Sequence, residues 1–223
     1  MPKTGKSTSG FAVGTVPSHQ RRRGNGNRWR RLSAGVGLVG ALTAVGVFVT
    51  TPAEAASGFS DGSFETPVVV PHTFHTYYAG ESFGPWTVTS GSVEINGEGF
   101  WQNADGNQSL DLDGADTGAA SQTFATNLLT KYKVTYSLAG NTDYIPIVKT
   151  GKVLVNGRLA QNFSFDTTGK SRTDMGYVTK GFTFLSSGRS TTLEFVSTTT
   201  PGGYGPVIDN VRVDSCLLII CLP

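Results

Sequence analysis

Residues 132–138 read Tyr132-Lys133-Val134-Thr135-Tyr136-Ser137-Leu138. Large apolar groups occupy every second position, with polar groups between them. That is the period of a half-buried β-strand, because successive side chains leave the backbone on opposite faces. The same alternation recurs on both sides of this stretch. Leu110 and Leu112 alternate with Asp111 and Asp113; Phe163 and Phe165 flank Ser164; Phe182 and Phe184 flank Thr183; Leu193 and Phe195 flank Glu194. Val207, Asp209, Val211 and Val213 share one parity, so a regular strand there aims Asp209 inward. Asn156-Gly157 joins Val153-Leu154-Val155 to the strand ending at Phe165, and both residues tolerate the positive φ of a tight hairpin turn. Further turns are expected at 104–107, 114–118, 167–170, 186–189 and 201–206. No window from 57 to 214 sustains a helical apolar period. Some eight to ten short strands therefore predict an all-β fold, a sandwich of two antiparallel sheets.

Composition narrows the function classes. Of 223 residues, 15% are charged and 29 are glycine, which disfavours a helical bundle or coiled coil. Eight of the 18 Lys and Arg residues fall in positions 1–31, where there is no acid. From Ser57 onward, ten basic residues face fifteen acidic ones. A basic leader thus precedes an acidic body, and an acidic body argues against nucleic acid as a partner.

The leader has three recognisable parts. Arg21, Arg22, Arg23, Arg28, Arg30 and Arg31 are followed by an uncharged run from Ala34 to Val49, then by Pro52 and Ala53-Glu54-Ala55. Positive, apolar and small-residue parts in that order describe a secretory signal peptide cleaved near Ala56. The division expected is 1–55 leader and signal peptide, 57–214 sandwich domain, and 215–223 a short apolar tail. That tail is too short to span a membrane, so no membrane partner is expected after cleavage. It carries the only two cysteines, Cys216 and Cys221. In an exported chain these can pair with each other, remain free or join two molecules; an intramolecular disulfide that matters little to stability is the prediction.

Catalytic patterns are weak. His72 and His75 lack the helical spacing of a zinc protease, and no Gly-x-Ser-x-Gly elbow occurs. Asp105, Asp111, Asp113 and Asp116 cluster in a turn-flanked strand, which suits solvated acids better than a glycosidase pair drawn from separate elements. No enzyme activity is expected, and a glycan hydrolase is the least favoured reading. Aromatics beside Gly/Pro-rich loops are more informative. Trp101, Tyr144 and Tyr204 could stack on the C–H faces of sugar rings, while Asn103, Asn107, Gln108 and Asn141 could bond the hydroxyls. The competing role for Trp86 and Trp101 is core packing.

Several segments together resemble the choice-of-anchor C family, bacterial secreted domains related to the plant cell-wall family called domain of unknown function 642. They are Asp61-Gly-Ser-Phe-Glu65, Gly84-Pro-Trp86 through Val93, Trp101 through Gly114, Ser121-Gln-Thr-Phe124, Tyr132 through Asn141, and Ile208-Asp-Asn-Val211. The resemblance covers residues 59–214. It implies a galactose-binding-like jelly roll and residence at the cell wall or surface. It also implies a structural calcium ion held by acids on the first and last strands, here Glu65 and Asp209, with Asp61 as a weaker third ligand. Inward parity agrees, since a buried carboxylate needs a partner. The alternative is a surface Glu65 and a hydrogen-bonded Asp209 across a β-bulge. The function expected is non-catalytic recognition of a cell-wall or extracellular polysaccharide; the alternative is a structural or adhesion protein of the envelope that binds proteins.

Overall fold

The computed structural model describes residues 58–216. The expected signal peptide, the cleavage expected near Ala56, and the tail beyond Cys216 lie outside the described residues. Among the described residues, twelve strands form in chain order: β1 (Phe74–Tyr78), β2 (Ser82–Phe83), β3 (Trp86–Ser90), β4 (Ser92–Asn96), β5 (Ser109–Asp111), β6 (Ala119–Ala125), β7 (Lys131–Gly140), β8 (Val148–Val155), β9 (Arg158–Asp166), β10 (Val178–Leu185), β11 (Ser190–Ser197) and β12 (Pro206–Ser215). No helix occurs among the described residues.

Two six-stranded antiparallel sheets result, β1-β4-β5-β12-β7-β10 and β2-β3-β6-β11-β8-β9, called sheets A and B below. From β5 onward the chain crosses repeatedly from one sheet to the other, the connectivity of a jelly roll. Each face follows from the alternation in the sequence. Tyr132, Val134, Tyr136 and Leu138 of β7 point between the sheets, with Ile95, Leu110 and Ile208 of sheet A. Val88, Ala120, Phe195, Val153 and Phe163 answer them from sheet B. Trp86 is completely buried in this core, and its Nε1 donates to the Asp61 carbonyl at 2.9 Å. The hairpin at Asn156-Gly157 forms with φ of 50° and 75°, as a two-residue primed turn requires.

The parity expected for β12 fails at one place. Val207 pairs with Ala139, Ile208 with Leu138 and Asp209 with Ser137, but Arg212 is then opposite Thr135. A bulge between Asp209 and Arg212, with Asn210 at φ 51°, absorbs the extra residue. Val211 and Val213 therefore face the core, whereas Val207 and Asp209 share the opposite, outer face of sheet A.

That outer face is not open to solvent. Ser109, Asp111, Asn96 and Asp209 all lie on it and all are buried. Ser109 and Asp209 are met by residues 97–108, the strap, which is in turn bonded to residues 170–177, while Asp111 is met by Gly205 and Asn141. Trp101 Nε1 donates to Ser109 Oγ at 2.7 Å. Gln102 N–H donates to the Arg172 carbonyl, and Met175 N–H to Gln102 Oε1. The strap makes a third layer on a two-layer sandwich. Cys216, the last described residue, is disulfide-bonded, and its N–H donates to the Lys131 carbonyl; Cys221 lies outside the described residues.

Candidate functional site

Lys149 is the centre of the more unusual end of the sandwich. It lies opposite Phe165 and shares the inward parity of Gly151 and Val153, and it is completely buried. Its stem fits because residue 140 is glycine: a Cβ there would stand 2.7 Å from Lys149 Cγ. Nζ donates to the Tyr144 carbonyl at 2.9 Å and lies 6.0 Å from the centre of the Tyr204 ring. The two tyrosine rings are 5.3 Å apart and inclined at 45°. Tyr144 is 61% exposed and Tyr204 half-buried. A hidden ammonium group thus fixes the backbone beneath an exposed aromatic pair.

Behind the lysine are Asp111 and Asp113, both completely buried. Asp111 Oδ1 accepts from the N–H groups of Asp113 (2.9 Å) and Gly205 (3.1 Å), and Oδ2 accepts from Asn141 Nδ2 (2.8 Å). Residue 205 must be glycine for this approach, since a Cβ would stand 2.6 Å from Asp111 Oδ1. Burial pushes the Asp111 carboxyl well above its ordinary range, and pushes Asp113 up to about 6. Burial also lowers the Lys149 ammonium, against the pull of Asp111, Asp113 and Asp143. Asn141 Oδ1 accepts the Asp143 N–H at 3.0 Å and so starts the loop that carries Tyr144. Asp143 closes the loop on the covering layer through a two-pronged contact with Arg172, 2.8 and 2.6 Å, and Arg172 lies over the Phe100 ring at 4.6 Å.

The strap is gripped by carboxylates. Asp209 Oδ2 accepts from the N–H groups of Ala104 (2.7 Å) and Asp105 (3.0 Å), and its Oδ1 accepts from Asn210 (2.6 Å). Glu65 Oε1 accepts from Asn107 (2.8 Å) and Gln108 (2.9 Å). Asp61 accepts from Glu65 (2.7 Å) and Thr66 (3.3 Å). Burial pushes Asp209 up to about 7 despite these donors. Among the described residues, no three His, Cys, Asp or Glu side chains are grouped to hold a metal ion. His72 Nδ1 lies 3.1 Å from the Gly99 carbonyl, and His75 packs on Tyr77.

The residues singled out from sequence therefore divide. Tyr144, Tyr204 and Asn141 meet at the Lys149 end, with Asn141 buried as a brace rather than exposed to a ligand. Trp101, Asn103, Asn107 and Gln108 belong to the strap. Trp101 is 4% exposed, its ring packed as part of the core cluster, so it offers no stacking face. Gln108 is buried too; its amide accepts from Val69 N–H and donates to the Phe64 and Pro67 carbonyls, which uses the groups a sugar would need. Asn107 is exposed and Asn103 half-buried. Sequence reasoning missed Lys149, although its parity with Val153 carried the signal, and missed the Asp143–Arg172 contact, which joins loops 29 positions apart.

The arrangement defines a class: an antiparallel jelly-roll domain with the Tyr144–Tyr204 pair at its surface, braced from beneath by Lys149. The chain belongs to the DUF642 family, described as a protein of unknown function, which matches residues 57–214. It is 27% identical over 184 residues to halomucin of Haloquadratum walsbyi, a match covering 80% of this chain and 2% of halomucin. This chain thus spans about 2% of the length of that curated relative. Among solved structures it is similar to a family 35 carbohydrate binding module from Clostridium thermocellum (17% identity, 63% of this chain, 98% of that chain, TM-score 0.44). It is also similar to a xylan-binding domain of Paenibacillus barcinonensis Xyn10C (16% identity, 73% and 97%, TM-score 0.43).

Proposed function

We propose that this chain is an exported, galactose-binding-like domain of the choice-of-anchor C kind that binds a polysaccharide at the cell wall or surface without catalysis. The observation that carries this reading is the Tyr144–Tyr204 pair. Sugar rings present apolar C–H faces, and an exposed aromatic plane held in place loses little freedom on receiving one. Asp143 and Arg172 beside it provide an acceptor and donors for hydroxyls. The outer face of sheet B offers a rival hollow of about 440 Å³, lined by Thr150, Asn162, Ser164, Thr198 and Lys180. Its one aromatic ring, Phe163, is 6% exposed, so the loop tip is favoured over the sheet face. Absence of catalysis is favoured because Asp111 and Asp113 are closed off from solvent and cannot reach a glycosidic bond. Retention on a panel of insoluble polysaccharides tests the proposal. Tyr144→Ala and Tyr204→Ala are expected to weaken binding at least tenfold, about 1.4 kcal/mol, with melting temperature preserved. Binding unchanged in both variants would move the site elsewhere.

A second reading has its own observation. Ile145, Ile147 and Val148 are 56%, 53% and 47% exposed next to Tyr144, which suits an adhesion contact with another protein. Full retention of a binding protein partner by a domain that ignores every polysaccharide would favour it.

Calcium at Glu65, Asp209 and Asp61 is proposed with a demanding test, because these carboxylates already accept backbone N–H groups. A bound ion must raise the melting temperature of metal-free protein; coincident melting curves in chelator and in millimolar calcium would leave the N–H groups as the only partners. Export predicts a mature N-terminus at Ala56 or within a residue or two, read by N-terminal sequencing.

A further inference from the structure

Phe74 opens β1 with 49% of its surface exposed. It lies opposite Asn96 in the β1–β4 register, on the outer face of sheet A, and its ring meets that of Phe100 edge-on, centres 5.6 Å apart. Phe100 is half-buried and is fixed by three contacts. Its ring packs on the buried Trp101 at 5.2 Å. The carbonyl of the preceding Gly99 lies 3.1 Å from His72 Nδ1, and a Cβ at residue 99 would collide with that imidazole ring. The Arg172 guanidinium lies over the Phe100 ring at 4.6 Å. Apolar rings that meet at a surface mark interaction sites more often than scattered single ones do.

The chain of contacts continues beyond Arg172. Its Nε and Nη2 donate to the two oxygens of Asp143, at 2.8 and 2.6 Å. Asp143 is followed by Tyr144, whose ring stands 5.3 Å from that of Tyr204. Two aromatic pairs are therefore joined through one ion pair, each link touching the next or following it in sequence. A guanidinium has five N–H donors. Asp143 takes two of them, and the rest remain for hydroxyls, since the Arg172 side chain is 49% exposed. Held over Phe100 and bonded along one edge by Asp143, this flat group is set before anything binds, so little freedom is lost on binding.

We propose that the saccharide site does not end at Tyr144 and Tyr204 but runs across the Arg172–Asp143 bridge to Phe100 and Phe74, so that the domain grips a stretch of several linked sugar rings. This rests on the carbohydrate-binding reading above and adds to it the size of what is bound. A single sugar ring is no larger than one aromatic pair and cannot touch both pairs at once; a chain of linked rings can. Each platform contributes only when a ring reaches it, so affinity grows with chain length until the run is filled.

Calorimetric titration of the whole protein tests this, using size-fractionated fragments of whichever of cellulose, xylan, chitin, mannan or galactan retains it, from the disaccharide upward. Affinity is expected to climb at least about tenfold from the disaccharide to the longest fragments. Phe74→Ala is expected to weaken the longest fragments about tenfold, the size of one lost aromatic contact, and to leave the disaccharide, held at the tyrosine pair, unchanged. Phe74→Tyr keeps the ring and the parent affinity, whereas Tyr144→Ala weakens binding at every length. Equal affinity at all lengths, or long fragments bound by Phe74→Ala as by the parent, would overturn the longer site while leaving the tyrosine pair in place. Failure of all five polysaccharides to retain the protein would remove the carbohydrate-binding reading and this inference with it. Should Phe74→Ala fail to fold, Phe74→Leu, which keeps an apolar side chain without the aromatic plane, is read in the same way.

Discussion

Asp209 illustrates how one side chain can be committed at both oxygens. It lies beneath the strap and accepts three backbone N–H groups, from Ala104, Asp105 and Asn210. Replacing it with alanine strands donors that are partly shielded from water, at about 1–3 kcal/mol for a fully buried one. Asp209→Ala is therefore expected to destabilise the domain by roughly 2–4 kcal/mol in urea unfolding, with Asp209→Asn milder because one carbonyl oxygen remains. A cost under about 0.5 kcal/mol would mean that the three donors find water. Gly205 is as constrained for a different reason. A methyl group there meets Asp111 Oδ1 at 2.6 Å and Asp113 Cγ at 2.7 Å, so Gly205→Ala should cost about 1–3 kcal/mol through overpacking. A melting temperature equal to that of the parent would show that the 201–206 loop yields.

At the level of elements, the strap is the part that sheet periodicity does not describe. It is assigned to no strand, and it is held by the buried Trp101 ring, by a few backbone bonds such as that from His72 N–H to the Glu98 carbonyl, and by the carboxylate grips of Asp209 and Glu65 on its backbone. Such a segment opens more readily than the ladders beneath it. Glu65→Ala removes the acceptor for the Asn107 and Gln108 N–H groups. Hydrogen exchange at residues 104–108 is expected to quicken about tenfold or more, by the loss of roughly 1.4 kcal/mol of local stability, while β7, β11 and β12 keep their protection. Uniform loss of protection across both sheets would show that strap and sandwich open together. The β8–β9 hairpin is the contrasting case. Its turn residues and strand alternation are both legible without any tertiary information, because a two-residue primed turn depends on local φ alone.

At the scale of the whole sandwich, several buried carboxyls among the described residues sit where the fold favours their protonated forms. Asp209 is raised to about 7, Asp113 to about 6, and Asp111 and Glu94 are also raised, burial being the first cause in each. Between the unfolded value of 3.8 for aspartate and these folded values, the native state binds more protons than the unfolded chain. Stability must then fall as pH rises through that interval and level off above it. A melting temperature several degrees higher near pH 4.5 than near pH 7.5 is the expected outcome, since a tenfold gain in proton affinity on folding is worth about 1.4 kcal/mol before solvent screening. Lys149 acts with the opposite sign, since its lowered value makes the unfolded chain the better proton acceptor at alkaline pH. A melting temperature that climbs steadily from pH 4.5 to 7.5 would contradict the raised carboxyls.

The sequence by itself determined the two-faced strands, the hairpin at Asn156-Gly157 and the all-β class, because alternation and turn chemistry are local properties that survive in any window of a few residues. It also marked Tyr144, Tyr204 and Asn141, without indicating that they share one end. Only the tertiary structure decided that Asp209 leaves the core parity, since a bulge is set by how β12 pairs with β7 across 72 positions, from Asp209 to Ser137. Only the tertiary structure buried Trp101 and Gln108, because nothing in residues 101–108 records that they will lie across sheet A. Lys149 belongs to the same class: an ammonium group can be interior only where Gly140, the Tyr144 carbonyl and the two buried aspartates are brought around it, and those partners come from separate strands and loops.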